Sequence, residues 1–149
     1  MRDPYRNVVT IWMNAILNNK PYYIYGDGEQ RRQFTYIYDV TPNLLSCMSV
    51  ESGATINIGV DTHHSLNELS DILLSVTGSS VNPEYLPDRE QEVREALAVN
   101  SFGTSEQWEL KEGLQKTWEW CKKMGPSEPI YTKLEIDSDK VPKNWRKNV

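Results

Sequence analysis

Residues 22–40, YYIYGDGEQRRQFTYIYDV, constrain the fold of this chain more than any other stretch. Two short runs, Tyr22 to Tyr25 and Phe34 to Tyr38, are rich in Tyr, Ile, Phe and Thr, residues that suit a pleated, half-buried surface. Between them, Gly26-Asp27-Gly28 offers two positions that take positive φ without a Cβ clash, so the spacing predicts a sharp turn between paired strands. Arg31 and Arg32 follow the turn at once. An arginine there presents a planar fork of donors suited to a phosphate or carboxylate. The plainer alternative is a surface hairpin with solvated charges.

The string IYGDGEQRRQFTYIYDV resembles the IYGDGxQxRDFxxVxDV segment of the extended short-chain dehydrogenase/reductase family, the NAD-dependent sugar-nucleotide epimerases and dehydratases. It is most similar to the UDP-glucose 4-epimerase branch, with UDP-glucuronate decarboxylases and dTDP-glucose dehydratases next. Three later stretches carry the likeness on. Ala54 to Gly59, ATINIG, resembles a YNIGxG strand; Pro87 to Val93, PDREQEV, resembles P-x-R-x-G-D-V; and LKEGLQKTWEW resembles LEEGLxxTxxW.

The resemblance implies the family's carboxyl-terminal, substrate-binding half, with a UDP-sugar as ligand. It implies Arg32 first and Arg89 second as forks for the diphosphate, with Arg31 facing solvent, the Tyr22 to Tyr25 backbone and a ring against the nucleoside base, and Tyr25 and Gly26 as the further substrate-binding residues. Read without the resemblance, Arg89 is a solvated residue among Glu84, Glu90 and Glu92. Departures from the pattern fall at Gln33, Gln91 and Glu92, where the family carries aspartate, glycine and aspartate. The ATINI strand would join a nucleotide-binding sheet in such an enzyme, and alone would leave an open edge that recruits partners. Asp39, in the closing xDV, is expected as an N-cap and not as a ligand contact.

What the family needs for hydride chemistry is a GxxGxxG loop for the cofactor pyrophosphate and a tyrosine base within YxxxK. The eight glycines show no such spacing, and no tyrosine is followed four positions later by lysine. The expectation is therefore a chain with no catalytic residue and no cofactor of its own, NAD belonging to the complete family enzyme. The chain would start inside a domain and act with a nucleotide-binding half. A second reading of another class is a non-catalytic binding or assembly module derived from the family, with an exposed edge or tryptophan contacting a partner or a second copy. The departures at Gln33, Gln91 and Glu92 and a shortened stretch after Asn100 favour that reading; retention of Arg32 and Arg89 favours the first.

The rest of the chain predicts an α/β fold, a small mixed lobe of helices on short strands, matching the carboxyl-terminal portion of a Rossmann-type enzyme of that family. Asp3-Pro4 marks a first helix with Val8, Ile11, Trp12, Ala15 and Ile16 on one stripe, ended at Lys20-Pro21. Thr41-Pro42 opens a second whose Leu44, Leu45, Cys47 and Met48 are expected to pack on the core. Ser65 and Glu68 form a capping box before Leu66, Leu69, Ile72, Leu73 and Val76, with Gly78 as the stop. Val81 to Leu86 reads as a strand, His63 and His64 as loop residues, and Leu110, Leu114, Thr117, Trp118 and Cys121 as the buried face of a final helix that leaves one of Trp118 and Trp120 exposed. The division expected is 1–124 for the binding portion and 125–149 for an extended tail.

A net charge of −5 argues against a nucleic-acid binder. Cys47 and Cys121, without metal-ligand spacing, read as core thiols, and no metal site is indicated. With no apolar run of membrane-spanning length and no leader pattern, a cytoplasmic protein without membrane contact is the expectation.

Overall fold

The chain buries its apolar residues where three helices meet one short strand. The computed structural model describes residues 7–90, 92–100 and 108–130. Helix α1, Val8–Leu17, contributes Trp12, Met13 and Ile16 to the core, and strand β1, Tyr23–Tyr25, enters beside it with Tyr22 and Ile24. Helix α3, Leu66–Thr77, adds Leu69 and Leu73, and helix α4, Leu110–Met124, adds Leu114, Trp118 and Cys121. The helical stripes read from spacing are these buried faces. Trp118 is 7% exposed and Trp120 51%, so the two tryptophans divide between core and surface as expected.

Polar groups that enter this core find partners there. The Trp12 indole N–H donates to the Tyr23 carbonyl at 3.1 Å, and its ring lies 4.7 Å from that of Tyr22. The Tyr22 hydroxyl meets Ser70 Oγ at 2.7 Å. Buried Asn14 donates to the Ser127 carbonyl at 2.8 Å and accepts from the Ser127 N–H at 2.9 Å, which pins the segment after α4 onto α1. An amide side chain can satisfy both backbone groups at once, so burying it carries no unpaired polar cost.

The paired strands are not the expected hairpin. β1 pairs in parallel with β4, Glu84–Leu86, Tyr25 lying opposite Leu86. The strand after the turn is β2, Arg31–Arg32, not Phe34 to Tyr38. It runs between β3, His64–Ser65, antiparallel, and β5, Glu95–Ala96, parallel. The Gly-Asp-Gly turn therefore carries the chain from one small sheet into another. The reason lies in burial: Tyr22 and Ile24 point into the helical core, and the β1 edge is completed by a strand distant in sequence.

Ile37 and Tyr38 belong instead to helix α2, Ile37–Ser46, in which Asp39 sits in the first turn and Pro42 lies inside. A carboxylate in that turn suits the positive end of the helix dipole. The side chains of Thr41, Asn43 and Ser46 each donate to the carbonyl four residues back, adding bonds around the proline that lacks an N–H. The expected core face of α2 faces outward: Leu44, Leu45 and Met48 are exposed, while Asp39 and Asn43 are buried. Residues 54–58 join no strand ladder among the described residues. The Asp3-Pro4 signal, the stretch 101–107 and the tail beyond residue 130 lie outside the described residues.

Helix α3 starts as its sequence requires. The Ser65 hydroxyl accepts from the Glu68 N–H at 3.1 Å and the Glu68 carboxylate accepts from the Ser65 N–H at 2.9 Å. That second bond lowers the Glu68 pKa. Gly78, at φ 66°, closes the helix in the left-handed region.

Candidate functional site

The ends of β1 and β4 and the loop that follows β4 bring the sequence-selected residues together. At the end of β1, the Gly26 N–H donates to the Leu86 carbonyl at 2.8 Å, extending the parallel ladder by one bond. Gly26 has φ 72°, and a Cβ there would lie 1.8 Å from Asp88 Oδ1. The positive φ favours glycine there, and any Cβ would also push the Asp88 side chain aside. Gly28, at φ 77°, is held as closely by the side chain of Asn67, whose own N–H donates to the Gly28 carbonyl at 3.1 Å. The start of α3 is thereby docked on the turn.

Asp27, between the two glycines, accepts from the Glu29 N–H at 2.9 Å and from both terminal nitrogens of Arg94 at 2.7 and 3.0 Å. The Arg94 guanidinium holds the Asp27 carboxyl down at about 2. This fork ties the turn after β1 to the segment entering β5. Asn67 adds donations to the Asp27 carbonyl and the Glu29 carboxylate, and accepts from the Tyr85 hydroxyl at 2.8 Å.

Arg32 and Arg89 converge on one carboxylate. Arg32 donates to Glu92 Oε1 at 2.7 Å, while Arg89 pairs with Glu92 Oε2. The Arg89 guanidinium lies over the Tyr25 ring, 4.8 Å from its centroid, a cation–π geometry. A second nitrogen of Arg32 donates to the Arg31 carbonyl at 2.7 Å and lies 3.4 Å from the Arg94 carbonyl, so its position does not depend on Glu92 alone. Three of the four selected residues thus share one cluster, and Gly26 adjoins it through Tyr25. Arg31, expected in solvent, is partly covered and stands 3.7 Å from Glu68 Oε1.

Glu92 was visible in the sequence only as a departure from a pattern. That it stands three residues after Arg89 was the available signal, but a neighbour in sequence does not reveal that Arg32 reaches it from β2. Gln33 is a second residue whose part appears only in three dimensions. Its side-chain amide donates to the carbonyls of Val60 and Ala98 at 2.7 and 2.9 Å and accepts from the Ala98 N–H at 2.6 Å. An aspartate there would have no donor for either carbonyl.

Asp39 is buried, and its carboxylate accepts the Trp108 backbone N–H at 3.0 Å, so it caps no helix end of its own. Tyr36, Tyr38 and Trp108 gather beside it, their ring centroids 5.1 to 5.9 Å apart. His64 Nδ1 stands 3.6 Å from Glu68 Oε2. Among the described residues, no group of three or more His, Cys, Asp or Glu side chains gathers as metal ligands would, and no helix is long and apolar enough to cross a membrane.

Residues 1–59 match the NAD dependent epimerase/dehydratase family. A UDP-N-acetyl-alpha-D-glucosaminuronate decarboxylase of Bacillus cytotoxicus is 29% identical over 135 residues, covering 81% of this chain and 41% of that protein. A UDP-glucuronate 4-epimerase of Thermodesulfobacterium geofontis is 31% identical over 113 residues, 72% of this chain and 35% of that protein. Among solved structures, the UDP-glucose 4-epimerase of Thermotoga maritima with UDP-glucose superposes with a TM-score of 0.74 at 30% identity, covering 83% of this chain and 42% of that one. The chain spans about two fifths of the length of the curated relatives it matches. Over the part of those enzymes that it spans, the chain belongs to the NAD dependent epimerase/dehydratase family.

Proposed function

We propose that this chain supplies the sugar-nucleotide-binding part of an NAD-dependent epimerase or dehydratase, with Arg32 and Arg89 as donors to the diphosphate of a UDP-sugar. The observation that carries the reading is the convergence of these two arginines, Arg32 from β2 and Arg89 from the loop after β4, on the single carboxylate of Glu92, with the Arg89 guanidinium over the Tyr25 ring. Carboxylate and phosphate offer guanidinium the same paired acceptors, so a cluster that holds one can hold the other. Each charge-assisted bond to a phosphate oxygen would contribute about 1.5–3 kcal/mol. Tyr25 supports the Arg89 guanidinium from below, and Gly26 lets the chain turn directly after it. The solved relative that holds UDP-glucose supports the ligand class.

The glycine turn at Gly26 to Gly28 does not fit the cofactor pyrophosphate. The Gly26 N–H is already bonded to Leu86, and the carboxylates of Asp27 and Asp88 crowd the glycine turn, whereas a pyrophosphate needs free N–H groups at a glycine-rich helix start. Hydride transfer is therefore assigned to a nucleotide-binding half outside this sequence, and no step of it is derived from these residues. The binding portion is proposed to end with α4, near residue 124.

Calorimetric titration of UDP and UDP-glucose into the chain, with Arg32→Ala and Arg89→Ala at one salt concentration, tests the reading. Binding weakened by both substitutions is expected. Binding that neither substitution changes would remove these arginines from the site. The assembly reading has its own observation in the outward apolar face of α2, and self-association of a chain that binds no UDP compound would favour it.

A further inference from the structure

We infer that Glu92 is a built-in competitor for the anion site, holding Arg32 and Arg89 in place until a ligand carrying at least two negative charges displaces it. The inference rests on the binding role proposed for these arginines. One carboxylate oxygen of Glu92 takes Arg32 and the other takes Arg89, so the bidentate capacity of the carboxylate is spent within the cluster. Its side chain is 15% exposed, against 27% for Arg32 and 30% for Arg89. Glu92 is thus the most covered of the three charged side chains, while Arg32 and Arg89 each keep more than a quarter of their side-chain surface exposed, the Arg89 Nε being buried.

The surroundings allow Glu92 to leave without dismantling the site. Arg32 keeps its bond to the Arg31 carbonyl, and Arg89 keeps the Tyr25 ring beneath it. Glu92 is held to the chain before it by its own N–H, which donates to the Arg89 carbonyl at 3.2 Å. A rotation of its side chain alone would therefore release both guanidiniums from Glu92 while its backbone bond to Arg89 persists.

Charge decides which ligands succeed. Two guanidiniums and one carboxylate leave a single net positive charge in the cluster. A ligand with one negative charge merely replaces Glu92 and must also desolvate, so it gains nothing from the exchange. A diphosphate delivers two or more charges to the same pair and wins. Glu92 would in this way discriminate against singly charged anions.

The test is titration of inorganic pyrophosphate and of UDP into wild type, Glu92→Gln, and Arg32→Ala, with acetate as the singly charged probe. Gln keeps the shape of the side chain and removes its charge. The expected result is that Glu92→Gln binds pyrophosphate and UDP roughly tenfold more tightly than wild type, and begins to bind acetate. Unchanged or weaker pyrophosphate and UDP binding by a folded Glu92→Gln, with Arg32→Ala still impaired, overturns the competitor and leaves the arginine site standing. Absence of arginine-dependent binding in both wild type and Glu92→Gln overturns both. The wild-type chain supplies an independent readout: the side-chain carboxyl carbon resonance of Glu92 is expected to move on saturation with pyrophosphate. Its staying fixed while pyrophosphate binds overturns the displacement.

Discussion

At Gly26 two independent constraints fall on one residue. Its φ of 72° is the left-handed region, and the Asp88 carboxylate occupies the space a Cβ would need. Gly26→Ala is expected to destabilise the chain by about 1–2 kcal/mol through its backbone conformation, with a smaller addition for displacing the Asp88 side chain, read as a shift in urea denaturation. The double variant with Asp88→Ala should recover the steric part of that loss and not the backbone part. Asp27, next in the chain, titrates at about 2 because Arg94 grips it, against 3.8 for a free carboxyl. Its folded value is depressed, so its contribution to stability is fully present above pH 3.8 and is lost as the pH falls through about 2. Denaturation of wild type and Arg94→Ala measured across that window should show the difference between them shrinking as the carboxyl protonates. The glycines were legible as a turn, but Asp88 and Arg94, the residues that close on it, were not.

Among the elements, α3 shows how far local chemistry reaches. Ser65 and Glu68 satisfy each other's backbone N–H groups, and Gly78 ends the helix, as their spacing requires. Ser65→Ala should cost about 1 kcal/mol, measured by the same denaturation, because a donor at a buried helix start loses its acceptor. The short strands behave otherwise. Phe34 to Tyr38 has strand composition, yet its second half begins α2. Strand preference reflects fit to neighbours, and among the described residues no strand pairs with that run. The Tyr22 to Tyr25 run kept its strand because β4 completes its edge.

The molecule as a whole has its core among α1, β1, α3 and α4, and an apolar face elsewhere that covers nothing among the described residues. Ile37, Leu44 and Leu45 on α2 and Met48 in the turn just after it are all more than half exposed, and the buried side of α2 is polar. The double variant Leu44→Glu with Met48→Glu should therefore leave the denaturation midpoint within about 0.5 kcal/mol of wild type. Leu73→Ala, in the core, should cost about 2–5 kcal/mol. An equal cost for both would show that α2 is packed in solution. Burying Leu44 and Met48 requires further protein surface, and the relatives are more than twice as long as the stretch this chain spans. That combination is why the reading of α2 as core from its periodicity failed: amphipathic spacing tells that a face seeks cover, and says nothing of what provides it.

By itself the sequence determined the buried faces of α1, α3 and α4, the capping box and glycine stop of α3, the turn at Gly26 to Gly28 and the family resemblance, because each depends on spacing within a few residues or on a motif read along the chain. Only the tertiary structure decided that the two runs flanking the turn enter different sheets, that α2 faces outward, and that Glu92 stands between the arginines. Those facts depend on contacts between residues far apart in sequence, where burial and charge pairing are settled by the competition among all available partners.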